Sequence, residues 1–566
     1  MTAPLSKELT CDVLVVGGGP VGLIETLLLR QLGLNVVVIE QREGPQTAPS
    51  AHVVSARTLE ILRGLGVDMA EIEAIAQKPS EGAWVRWVTA LGGRELGRVP
   101  FENLHNPEKV ALTSPQPLRN LSQHQLEPVL YREVADLRSS TQWISCVDLG
   151  DAIVSMVRSL ATDETYEITS RYVIGCDGAG SAVRRHCGIQ MVGPDEIENF
   201  ISIHAETDLR SLVADSPATL YWITDPTVQG TFIAHDLAST WVYMTSYDPA
   251  AESVTDYDTA RAEAIFRRAG GLPEDLPVTI RHVTSWRMTS QVASQFRQGR
   301  IFLVGDAAHR FPPTGGLGLN TGAAEAHNLA WKLAWVLRGW ATPELLNTYE
   351  AERRSIAQYN SEVSLENAFR LLEVWIALGI DDDLEASKLR AEQLLTTPEG
   401  MAEVTRAIEH QAEHFDQLGV QLGFCYHQEA GVVLDDGSSR PVVGNPVREY
   451  VPTTVPGSRL PHAVVQRAGQ ELSTLDLVEP GAFLLLCHGS AWAQVELPSS
   501  APVTRVVVGS DITDPFGQWA AVCGLSQDGA ILVRPDQHVA WRTQSAPSDA
   551  QSELQALLNQ LVRTSP

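Results

Sequence analysis

Long apolar runs are missing from this 566-residue chain, and none approaches the roughly eighteen residues a membrane-spanning helix needs. The opening MTAPLSKELT lacks the apolar core of a secretory signal. Cysteine is scarce: seven residues, at positions 11, 146, 176, 187, 425, 487 and 523, with no CxxC pair and no metal-ligand spacing. These absences predict a cytoplasmic protein with reduced thiols, no metal and no membrane partner. Positive charge is also short. Lys and Arg number 42 against 69 Asp and Glu, a net charge of -27. Such a surface repels nucleic acid, which is not expected as a partner. There is no internal repeat, and the length points to several domains.

Glycine, by contrast, is concentrated in three informative stretches. The first is DVLVVGGGPVG at 12–22, an apolar run of the kind a doubly buried strand shows, entering Gly17-Gly18-Gly19-Pro20-Val21-Gly22. Leu23, Ile24, Leu27, Leu28 and Leu32 follow at helical spacing, so the glycines sit at a strand-to-helix turn opened by Pro20. Gly17 suits the tight turn, Gly19 lets backbone N–H groups approach a pyrophosphate, and Gly22 lets the helix pack on the strand. A second strand, Asn35 to Ile39, ends in Glu40, where an acid grips a ribose hydroxyl. Gln41 and Arg42 follow as further candidate contacts. Among the basic residues that could face an anion, Arg42, Arg184 and Arg185 are candidates; the alternative for each is a solvated surface charge, and for Arg185 that is the expected reading.

The second stretch is YVIGCDGAGSAVRR at 172–185, with Asp177-Gly178. The third is GRIFLVGDAAHRFPPTGGLGLNTG at 299–322. Here Gly305-Asp306 ends the apolar run 301–304, and an Asp at such a strand end can accept hydrogen bonds from a polyol. FAD has a polyol in its ribityl chain and NAD does not. Gly315, Gly316 and Gly318 then open a helix expected from about Asn320 to Leu337. Its first N–H groups, around Gly318, Leu319 and Asn320, would meet a developing anion on a flavin.

With these loops in place, the chain resembles the single-component FAD-dependent aromatic hydroxylases of the para-hydroxybenzoate hydroxylase fold. PPTGGLGLN at 312–320 looks like their flavin-embracing loop. The closer likeness is to the phenol-type enzymes, through SAHVVSARTLEILRGLG at 50–66, NLSQHQLEPVL at 120–130, EAHNLAWKLAWVLRG at 325–339, YVPTTVPGSRLPH at 450–462 and ILVRPDQHVAWR at 531–542. The resemblance implies an α/β fold: a GR2-type Rossmann-like FAD-binding domain, an inserted β-rich substrate domain and a C-terminal thioredoxin-like domain. The expected boundaries are 1–186 for the first part of the FAD-binding domain, with 77–118 contributing to the substrate domain. The substrate domain follows at 187–285, the second FAD part at 286–372, a helical connector at 373–420 and the last domain at 421–566. Cys487 stands alone where a thioredoxin would carry its dithiol, so a packing role or a homodimer contact is expected there.

The resemblance further implies a monooxygenase. NADH or NADPH would reduce FAD, dioxygen would give a flavin C4a-hydroperoxide, and an aromatic substrate would be hydroxylated. No second GxGxxG follows a strand, so no separate nicotinamide domain is expected. His52 is the candidate base for phenolate formation, with a hydrogen-bonded loop histidine as the alternative. Arg57 heads the RTLE signature as flavin support or structural ion pair. Pro313 is expected near substrate, and Gln123 at the flavin. Trp222, Phe232, His235, Trp241, Tyr243 and Trp286 are candidate pocket aromatics. Two other functions remain open on sequence: an oxygenase tailoring a polycyclic or polyketide substrate, and a flavoprotein that merely sequesters an aromatic ligand.

Overall fold

The computed structural model describes residues 9–101, 110–499 and 501–562. Of the segment 77–118, residues 102–109 lie outside these.

Apolar runs flanked by glycine form a parallel core. Its strands lie in the order Arg297–Gln298, Ile301–Leu303, Thr165–Gly175, Leu9–Val16, Val36–Ile39, all parallel except the first. Leu9–Val16 pairs with both neighbours, and its Val13, Leu14 and Val15 are fully buried, as a strand covered on both faces requires. In register, Val16 lies beside Ile39 and Gly175, and Gly175 beside Leu303. Four carboxyl ends therefore finish level, and four loops leave the sheet from one edge. That edge is where open α/β sheets bind ligands. A hairpin of Thr141–Asp148 and Ile153–Ser159 adds to the N-terminal half of Thr165–Gly175.

A second sheet of seven strands runs Thr279–Met288, Glu198–Glu206, Thr240–Ser246, Gly230–Asp236, Leu220–Ile223, Trp84–Val88, Glu95–Pro100. The last two come from the expected 77–118 insertion. Strand alternation divides the candidate aromatics. Phe232, Trp241 and Tyr243 face an outer layer against Phe266 of helix Thr259–Gly270. Trp222, with Ile233 and Val242, faces inward against Val53, Phe415 and the helices between Leu372 and Phe415. Trp286 stacks on Phe200 at 4.6 Å and donates its indole N–H to Ser202 Oγ at 2.9 Å.

The long helix following the third glycine stretch spans Leu317–Leu337, three residues ahead of the expected start. Gly316 caps it at φ 64, a left-handed conformation that glycine adopts without strain. Residues 423–463 carry no helix or strand. Regular structure resumes at Val464–Arg467, later than the 421 boundary; the stretch before it reaches the rest of the chain through Arg459, which donates to Glu60, and through the Val432 N–H, which donates to Glu352. Beyond it a four-stranded sheet orders Val503–Val507, Phe483–Cys487, Ala530–Val533, Val539–Thr543. Cys487 is fully buried in that sheet and makes no disulfide.

Candidate active site

The four loops leaving the level strand ends enclose a cavity of about 380 Å³. Gly17, Gly19 and Pro20 line it from the first loop; Glu40, Gln41 and Arg42 from the second; Cys176, Asp177 and Gly178 from the third; Val304 and Asp306 from the fourth. Leu319 and Gln123 close it. Residues about 290 positions apart in sequence thus share one wall, because their strands end in register.

Each glycine has its own reason. At Gly17 (φ +111) a Cβ would lie 2.3 Å from the Cys176 carbonyl oxygen, so the first and third loops touch through that absent side chain. At Gly22 a Cβ would fall 2.0 Å from the Gly17 carbonyl oxygen. At Gly19 a Cβ would meet nothing within 4 Å. Gly19 borders open cavity at the N-terminus of helix Pro20–Gln31, whose free N–H groups and dipole favour an anion.

Among the acids, Glu40 is buried and bifunctional: Oε2 accepts the Gly18 N–H at 2.7 Å and Oε1 the Arg42 N–H at 2.8 Å. Arg42 is held between Glu40 and the fully buried Glu127. Among the described residues the Asp306 carboxylate has no hydrogen-bond partner. It opens to the cavity yet sits deep within it, and that burial raises its carboxyl pKa, while His309 and Arg310 oppose the shift. The Asp177 carboxylate, by contrast, is occupied: it accepts the Ala182 and Val183 N–H groups at 2.6 and 3.1 Å and so caps the short helix Ala182–His186. Its place in the wall therefore belongs to the loop, with Gly178.

Residues 10–364 match the family described as FAD binding domain, and residues 453–564 match aromatic-ring hydroxylase, C-terminal. The chain belongs to the FAD-dependent aromatic-ring hydroxylase family. It is 32% identical to 2,4-dichlorophenol 6-monooxygenase of Delftia acidovorans, over 97% of this chain and 98% of that one. It is equally 32% identical to tetracenomycin A2 monooxygenase-dioxygenase of Streptomyces glaucescens, over 98% and 97%. Among solved structures, the flavin-dependent monooxygenase PieE in complex with FAD and substrate superimposes with a TM-score of 0.92 at 31% identity, covering 98% of this chain and all of that one.

For a hydroxylase of this family the cavity residues fit FAD. The open face at Gly19 suits a pyrophosphate, buried Glu40 a ribose, and unpartnered Asp306 a polyol. Other expected residues stand behind the wall. Gly22 and Gly305 shape turns, the latter donating its N–H to Glu325 Oε2 at 2.8 Å. Gly316 and Gly318 belong to the helix start, from which Leu319 alone is placed in the wall. Asn320 is a latch: its Oδ1 accepts from Ser55 N and Thr58 Oγ1 at 2.9 and 2.7 Å, and its Nδ2 donates to Val53 and Gly316 carbonyls. Pro313 is exposed, with its carbonyl accepting the Gly316 N–H at 3.0 Å.

Arg57 proves to be scaffold. Its guanidinium, 3% exposed, donates to Glu60, Gln537, His327 and the Asp536 carbonyl, away from the cavity. Gln123 lies in the wall: its Oε1 accepts the Ser50 hydroxyl and its Nε2 donates to Glu127 at 2.6 Å. Arg185 is exposed, as a surface charge would be, and also borders the cavity, while Thr141, Gln142 and Trp143, which the sequence did not mark, reach it from the hairpin that crosses beside Glu40. The alternation in TQWISCVD was the available signal.

His52 adjoins the wall residue Ala51 but points away from the cavity, toward the inward face of the second sheet. Its Nδ1 lies 2.7 Å from Asn120 Oδ1. The Asn120 amide donates elsewhere, to Gln77 Oε1 and the Ala234 carbonyl, so its oxygen must accept and His52 Nδ1 must carry the proton. Nε2 keeps its lone pair. Burial, only partly offset by the Asn120 bond, lowers the His52 pKa to about 4, and the ring is neutral at neutral pH.

Proposed function

We propose that this monooxygenase hydroxylates a phenolic ring held between His52 and the inward face of the second sheet, with NADH or NADPH and dioxygen as co-substrates. FAD, when bound, supplies the redox chemistry. The chain's own residues hold, dry and deprotonate. The Gly19 turn, Glu40, Gln123 and Asp306 bind along the strand ends, while the start of helix Leu317–Leu337 offers free N–H donors and positive dipole to negative charge. Leu220, Ile233, Val242 and Trp222 form an apolar roof that excludes water. His52 Nε2 accepts the phenolic proton, and ionisation makes the ring electron-rich. A neutral imidazole with a fixed Nδ1–H is suited to that task.

The observation that carries this reading is the juxtaposition of cavity residues that fit FAD with a histidine one residue from their wall, whose Nε2 is left to accept a proton. Family membership alone would leave substrate open, since one fold hosts many chemistries. A second reading, tailoring of a polycyclic substrate, is favoured by the near-complete superposition on PieE and the match to the tetracenomycin enzyme. The deciding experiment measures NADH and NADPH consumption stimulated by monocyclic, biaryl and polycyclic phenols, with hydrogen peroxide followed in parallel. Consumption matched by hydroxylated product identifies the substrate class. Peroxide alone from every compound overturns both readings. In His52→Gln, hydroxylation falls about 10²-fold at neutral pH, the usual worth of a general base. That deficit shrinks above the phenol's own pKa; an equal loss at both pH values removes His52 from the role.

A further inference from the structure

Five of the chain's 15 histidines lie in one file under the second sheet. The His52 ring is 5.4 Å from that of His235, edge to face, and His124 is 6.1 Å from His235 on its other side. His204 lies on the strand two places beyond the one that carries His235. It stacks at 5.6 Å on His282, its register partner on the outermost strand, and His282 is exposed. The file therefore runs from the ring site to solvent at the sheet edge.

An ordinary core would satisfy these rings. Here both nitrogens of His204 and Nδ1 of His235 are buried without a partner, although leaving such a group unpaired costs about 1–3 kcal/mol. His52 and His124 each have a hydrogen bond on Nδ1 alone, to Asn120 and to Ser122 Oγ. Burial lowers all four inner imidazoles: His52 and His204 to about 4, His124 less, His235 well below the usual range. They are mutually close enough that charge on one disfavours charge on the next. The charged groups beside the file are Glu206 and Arg281, paired with each other near His204. A row of neutral imidazoles, each with a donor and an acceptor nitrogen, can carry a proton one at a time without storing charge.

We propose that His52, His235, His124, His204 and His282 form a proton path between the ring site and solvent. Its proton source rests on the phenol reading above; its geometry does not. The phenolic O–H bond breaks as an N–H forms on His52 Nε2, and because the Nδ1–H stays bonded to the Asn120 amide oxygen, His52 gives that proton up again from Nε2, through a bridging water, to His235. Each following imidazole takes a proton on one nitrogen and releases one, directly or through a single bridging water. One proton enters solvent at His282, and no electrons move.

Two measurements test it on FAD-loaded protein. The first needs no substrate: ¹⁵N NMR of histidine-labelled protein follows exchange of the buried imidazole N–H protons with water. In His282→Leu, at an exposed position, exchange at His204 and His235 should slow tenfold or more; unchanged rates overturn the path. The second uses 4-nitrophenol, whose ionised form absorbs visible light, with a pH indicator in weak buffer. His204→Phe should bind the probe within threefold of native protein yet release its proton at least tenfold more slowly. Equal release rates overturn the path. Slowed N–H exchange in His282→Leu together with no binding of 4-nitrophenol or any other phenol would uphold the path and instead refute the phenol reading.

Discussion

The FAD cavity and the junction between the two family-matched segments treat polar groups in opposite ways. Around the cavity, the Asp306 carboxylate has no hydrogen-bond partner among the described residues and Gly19 leaves open space. At the junction nearly every charge is answered. Glu60 receives Arg57 and, through both oxygens, Arg459, while Glu352 receives Lys332 at 2.6 Å and Arg534 at 2.5 and 2.9 Å. Arg534 also grips Asp536. None of these side chains is more than 3% exposed. Mutual attraction holds the Glu352 carboxyl below its usual range despite burial, whereas burial raises Asp306. Polar groups left open imply a ligand; polar groups closed on each other imply a joint.

The contrast is broken most severely at the joint. Arg534→Met leaves Glu352 with Lys332 as its charged partner beside the neutral donors Asn328 and the Val432 N–H, and leaves Asp536 without its guanidinium; removing one partner of a buried pair costs about 3–5 kcal/mol. Chemical denaturation should show that loss, while the fraction still folded keeps its FAD. At the cavity the pattern reverses. Gly19→Ala places a methyl in open space, so the apoprotein's Tm should hold within about 1 °C. The methyl intrudes where a pyrophosphate must approach, and FAD affinity should fall tenfold or more, about 1.4 kcal/mol. Should Gly19→Ala lower Tm and spare FAD, the cradle would be misassigned.

The two regions also differed in how much of them could be read from the chain. Gly17, Gly19, Gly22 and Glu40 form a local pattern of strand, turn, helix and acid, and local patterns are visible in one sequence. The other two loops were read the same way, and all three stretches reach the same cavity. The joint was invisible for the opposite reason. Arg57 and Gln537 are 480 residues apart, and nothing near either names the other. GSRLPH and RPDQH could be recognised as family-like motifs, yet their job, inserting Arg459 and Arg534 beside Glu60 and Glu352, is purely tertiary. Arg185 is the mixed case: it is exposed, as a surface charge should be, yet it borders the cavity beside Arg184, which is buried and donates to the Ala307 and Ala179 carbonyls. Alternation separated Trp222 from Trp241 only once the sheet order showed which face looks inward.

The smallest effect sharpens the contrast, because Glu25 belongs to neither class. It is a carboxyl on helix Pro20–Gln31, fully buried, with both oxygens without a hydrogen-bond partner, and it is not part of the cavity wall. Burial raises its pKa well above the ordinary value, so the folded protein favours the protonated carboxyl over a pH range in which the unfolded chain ionises it. A group whose folded pKa is raised in this way penalises folding increasingly as pH climbs past the unfolded value near 4.3, and not below it. Glu25→Met, similar in length and apolar, should therefore stabilise the protein by about 1–2 kcal/mol at pH 7, the usual price of an unpaired buried polar group. The gain should shrink as the pH approaches 4, with FAD content unchanged. Paired melts of both proteins at the two pH values check it. A variant that loses flavin, or gains equally at both pH values, would show that Glu25 serves the Gly17–Gly22 turn in front of it and belongs with the open groups of the cavity.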